Sequence, residues 1–79
     1  MRNTDYATAE DFKRWEEKAH GMTTSALEWS MNDAWDASRA MEDHNPVLAG
    51  RYGDEAMTYQ RVLLARKADI KRMVAQIKG

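Results

Sequence analysis

Residues Asp54 to Ile77 read DEAMTYQRVLLARKADIKRMVAQI, and this stretch decides the fold. Ala56, Tyr59, Leu63, Ile70 and Ile77, with Tyr52 and Met73 in phase, recur at intervals of three and four over more than three turns. That is the period of an amphipathic helix, and no proline or glycine interrupts it. Asp54 is a good cap for such a helix. Val62, Leu64 and Val74 lie beside the seam, so the apolar arc is broader than a simple surface helix needs.

Upstream, Pro46 disfavours helical geometry at Asn45, yet Asn-Pro can also open a helix, with Asn as cap and Pro in the first turn. Gly50 and Gly53 follow, and each costs about 1 kcal/mol relative to alanine inside a helix. Two arrangements are open. Either residues 46–51 form a separate short turn, or one long helix tolerates both glycines for close packing.

The preceding segment carries a second stripe: Leu27, Met31, Ala34, Ser38 and Met41, with Trp35 on its shoulder. Its start is contested between the Thr24 hydroxyl and a capping box at Ser25-x-x-Glu28, and its end is expected near Asp43. Before it, Phe12, Trp15, Ala19 and Met22 share a face. Thr8 caps the acidic first turn Glu10-Asp11, and Gly21 closes a helix over residues 9–20. Residues 1–7 are expected to be a frayed lead. The expected fold is therefore all-α, a single domain over residues 1–79: three antiparallel helices in a hairpin or bundle with a long C-terminal helix and no sheet.

At 79 residues with 43% apolar and 32% charged residues, the chain has the balance of a soluble globular domain, and no run approaches the roughly 20 apolar residues of a membrane span. The absence of cysteine removes disulfides, thiolate nucleophiles and sulfur-bound zinc, and with no signal peptide in view the expected location is the cytoplasm. Such a small core balances close to zero stability unless something adds buried area. Tyr59, Val62, Leu63, Ile70 and Val74 are thus either a core seam covered by the first two helices or the interface of a homodimer.

Charge is segregated along the chain. Residues 1–59 hold six Lys or Arg and twelve Asp or Glu, a net of −6, whereas residues 60–79 hold six and one, a net of +5. Arg61, Arg66, Lys67, Lys71 and Arg72 are candidate phosphate contacts, although cations near a helix C-terminus equally complement its dipole. On the acidic side, Trp29 points away from the core stripe and Asp33 and Asp36 follow at four and seven residues, with Glu28 and Asp43 nearby. An exposed tryptophan among carboxylates suits a basic protein surface, because Trp is enriched among binding hot spots and arginine stacks on its ring. The alternative is that the lead segment or the residue 46–52 turn folds over Trp29.

Catalytic and metal chemistry find little support. Glu17-x-x-His20 has the spacing of one half of a carboxylate-bridged metal site, but no second pair matches it. The serines read as capping or packing residues, and no glycine-rich phosphate loop occurs. We expect no enzyme activity, no cofactor and no metal.

From Asn45-Pro46 through Gly50-Arg51-Tyr52-Gly53-Asp54-Glu55-Ala56-Met57-Thr58-Tyr59 the chain resembles segments of small uncharacterised helical proteins of phages and other mobile elements. The resemblance covers about 15 of 79 residues. It implies a compact, cofactor-free product that grips a host macromolecule, as anti-CRISPR proteins do. The expected function is a non-enzymatic inhibitor or adaptor that presents Glu28, Trp29, Asp33, Asp36 and Asp43 to a basic host protein, without membrane contact. A nucleic-acid-associated regulator using the basic last helix is the alternative, and a self-assembling helical subunit is a third reading.

Overall fold

The computed structural model describes residues 6–78, and these form three helices with no strand among them: α1 (Ala9–His20), α2 (Thr24–Met41) and α3 (Pro46–Lys78). Of the lead, Tyr6 and Ala7 are non-helical, and residues 1–5 lie outside the described residues. Both α1 and α2 pack on α3 and make little contact with each other. Cross-links show the directions. Arg51 reaches Asp11 near the start of α1, and Arg66 reaches Ala19 and Met22 at its end, so α1 runs parallel to α3. Ser38 meets Ala49 while Thr24 meets Arg66, so α2 runs antiparallel to it.

The caps explain where the helices begin. The Thr8 Oγ1 accepts from the Asp11 N–H at 3.2 Å while the Asp11 carboxylate accepts from the Thr8 N–H at 3.0 Å, a complete capping box. Thr23, not Thr24 or Ser25, caps α2: its hydroxyl accepts from the Ala26 N–H at 3.1 Å. That helix stops at Met41, so Asp43 sits in the turn of residues 42–44 and not on the helix. Asn45 Oδ1 accepts from the Leu48 N–H at 3.1 Å and Pro46 opens α3, where its missing donor costs nothing.

From there α3 is unbroken for 33 residues, and Asp54 lies inside it instead of capping a new helix. The two glycines differ in purpose. A side-chain carbon at Gly53 would lie 3.5 Å from Ser38 Oγ and 3.7 Å from Trp35 Cζ3, so this is where α2 crosses closely; nothing stands within 4 Å of the same position at Gly50. Beside the crossing the Ser38 hydroxyl donates to the Ala49 carbonyl at 2.7 Å, a tie between helices that satisfies a half-buried hydroxyl.

The main core gathers Trp15 and Ala19 from α1, Leu27 from α2, and Tyr59, Val62 and Leu63 from α3, with Phe12, Met22 and Met31 at its margin. Phe12 meets the Trp15 ring edge-on at 5.4 Å. Burial ends with Leu63 and the half-buried Arg66; every described side chain from Lys67 to Ile77 is exposed. Ile70 and Val74 are therefore not core residues, and Tyr59, Val62 and Leu63 are enclosed by the chain's own helices and not free to form a dimer interface. The reason is length. At about 1.5 Å per residue α3 spans about 50 Å, close to the molecule's 52 Å long axis, and the 18-residue α2 spans about 27 Å.

Candidate protein-binding surface

The outward face of α2 follows from the stripe it buries. Leu27 and Ala34 face the core and Met31, Ser38 and Met41 are half-buried, so positions about 180° around the helix face water. Trp29, Asp33 and Asp36 occupy that side, spaced four and three residues apart over about 10 Å of helix. Trp29 is 69% exposed, and among the described residues neither Tyr6 and Ala7 nor the start of α3 folds over it. Asp33 is exposed, and Asp36 is exposed and ion-paired with Arg39 one turn on. Glu28 is exposed but lies about a quarter-turn to the side, and Asp43 is exposed in the turn beyond the helix. The five expected residues thus divide into a stripe of three and two outliers.

The basic candidates divide as well. Arg61, Lys67, Lys71 and Arg72 are exposed, with Arg72 paired to Asp69 at 3.8 Å. Arg66 is committed to the fold: its guanidinium donates to the carbonyls of Ala19 at 3.1 Å and Met22 at 2.8 Å and to Thr24 Oγ1 at 3.2 Å. It satisfies the open carbonyl end of α1 and the loop into α2, a role that needs the planar fork of arginine.

Two groups escaped the sequence reading. Asp11, read from sequence only as a first-turn acid suited to the helix dipole, is buried, and its Oδ2 also accepts from Arg51 at 2.8 Å. Arg51 in turn stands 5.6 Å from the Trp15 ring centre. The Thr8 backbone donor and then the Arg51 guanidinium outweigh burial and hold the Asp11 carboxyl at about 2, below its ordinary 3.8. Nothing in the spacing of residues 40 apart could have shown this pair. The second is an open groove of about 560 Å³ between α1 and α3, lined by Phe12, Met57 and Leu64 with Asp54 and Arg61 at its rim. Met57 and Leu64 are exposed, in keeping with the broad apolar arc of the sequence.

The hydroxyls nearest to these surfaces are engaged within the fold. The Thr58 Oγ1 donates to the Asp54 carbonyl at 2.9 Å, and the Tyr59 hydroxyl donates to Glu55 at 2.6 Å. Burial first, and then the Glu55 carboxylate, push the Tyr59 pKa upward, so it stays a neutral donor. Glu17 and His20 are exposed, His20 standing 3.9 Å from Glu16, and among the described residues no three His, Cys, Asp or Glu side chains converge on a point where a metal ion would sit. No helix among the described residues is long and apolar enough to cross a membrane. No protein-family model, curated protein or solved structure matches the chain.

Proposed function

We propose that this chain is a non-catalytic binding protein that occupies a basic surface on a protein partner through the outward stripe of α2. The observation that carries the reading is Trp29, a large aromatic 69% exposed on a rigid helix, with Asp33 and Asp36 on the same side. Carboxylates left in water contribute little to stability, but they speed encounter with a positive surface and leave the ring to anchor the complex. The partner class proposed is a host protein whose basic surface serves nucleic acid, such as a component of a defence complex, with the chain acting as its inhibitor.

The test is affinity capture from host lysate with the wild-type chain, Trp29→Ala and the double variant Asp33→Lys, Asp36→Lys, each with and without nuclease. The expected result is one protein retained by the wild type after nuclease treatment and lost with both variants, whose melting temperatures stay within a few degrees of wild type. Equal retention by all three would sink the reading. A second reading, nucleic-acid contact through α3, is favoured by the exposure of Arg61, Lys67, Lys71 and Arg72. Its mark would be capture abolished by nuclease and binding to generic DNA that weakens steeply with salt.

A further inference from the structure

The apolar seam of α3 continues past the hairpin that covers it. Tyr59 and Leu63 are enclosed by α1 and α2; two turns further, on the same side of the helix, Ile70, Met73 and Ile77 are each at least 60% exposed and Val74 is 46% exposed. Single exposed apolar residues need no explanation, but four on one face of a projecting helix form a contiguous patch. Positions 70, 73, 74 and 77 are i, i+3, i+4 and i+7, the spacing by which an amphipathic helix anchors in a groove. Lys67 and Lys71 flank the stripe on one edge and Arg72 stands beyond the other, with Asp69 as the segment's one carboxylate.

We infer that the last three turns of α3 are a helix-in-groove ligand, whose anchors Ile70, Met73, Val74 and Ile77 enter an apolar groove on a protein partner with a carboxylate-bearing rim that meets Lys67 and Lys71. Charge selects this occupant over a second copy. Two tails paired in either direction would bring together segments that each carry a net positive charge, and antiparallel pairing would further set the lysine edge of one against the lysine edge of the other. It selects it over a lipid surface less directly: three turns with four aliphatic anchors and no aromatic residue offer little area to bury in a headgroup layer. The surface is separate from the α2 stripe and does not depend on it.

Calcium-loaded calmodulin, a helix-binding protein with methionine-lined grooves and an acidic surface, is the probe, titrated by calorimetry with the full chain. Saturable one-to-one binding is expected. Ile70→Ala with Val74→Ala, which preserves helix propensity, should weaken it at least about tenfold, as loss of central anchors does. Lys67→Glu with Lys71→Glu should weaken it and flatten its salt dependence. Trp29→Ala should leave it unchanged, which separates this result from failure of the α2 reading. No saturable binding, or equal binding by the alanine pair, overturns the inference. So does sedimentation showing a wild-type dimer that the alanine pair converts to monomer, or uptake by phosphatidylserine vesicles without binding to calmodulin.

Discussion

Asp11 shows how one carboxylate can join three levels of structure. A single oxygen, Oδ2, completes the Thr8 capping box, accepts from Arg51 of α3, and through Arg51 places a cation against the Trp15 ring in the core. Breaking the pair by removing one partner costs more than the pair itself contributes, since Arg51 would be left half-buried with its charge unmet. The folded carboxyl gives up its proton more readily than the unfolded one, so its stabilisation is complete above an ordinary carboxyl value of 3.8 and is lost as pH falls toward about 2. Thermal melts of the wild type and Asp11→Asn between pH 6 and pH 2 should therefore differ most above pH 4 and converge near pH 2. A gap between the two melting temperatures that stays constant over that range would assign the acid sensitivity to other carboxylates.

At the scale of the element, α3 is one helix where local chemistry left two possibilities. Gly53 sits at a close crossing with α2, but Gly50 faces open space, and neither has a positive φ, so an alanine at position 50 meets no steric obstacle. Gly50→Ala should stabilise the fold by about 1 kcal/mol, partly by restricting the unfolded chain, and raise the melting temperature by about 4–8 °C in a domain of this size. A fall in melting temperature would mean that the glycine relieves a strain absent from the helix as described. The helices themselves were legible from sequence because their signals are local: the Thr8 box, the 3–4 stripes of α1 and α2, and the Asn45-Pro46 opening each act within one turn. Which hydroxyl caps α2 was not, since Thr23, Thr24 and Ser25 are adjacent and chemically alike. Nor were the roles of Arg51 and Arg66, which depend on which turn of α3 lies beside which end of α1. The α2 stripe of Trp29, Asp33 and Asp36 was readable as a face, but whether another segment covered it depended on the tertiary course of the chain. The exposure of Ile70 and Val74 had a signal that periodicity ignores: 18 residues of α2 cannot cover 33 residues of α3 once the glycines are read as helical.

On the scale of the whole molecule, stability has a gradient along the 52 Å axis. Over its first two-thirds α3 is held by Tyr59, Val62 and Leu63 and by the Arg66 fork that ties it to both ends of the α1–α2 loop. Beyond Arg66 the described side chains touch no other helix closely enough to be buried, and the helix persists on propensity, the Asp69–Arg72 pair and C-terminal cations that suit its dipole. A segment of about 12 residues is marginal on those terms alone, even when nucleated by a stable helix before it. Hydrogen exchange on the free chain should accordingly find the amides of residues 59–63 opening only with global unfolding, and those of residues 71–77 exchanging far faster through local fraying. Saturating a tail-binding partner should slow the second set and leave the first in order, because the partner acts on the part of α3 that the fold leaves least stable. Equal protection of both sets in the free chain, unchanged on dilution, would mean that the body covers the tail after all, and the apolar anchors would then have no groove to seek.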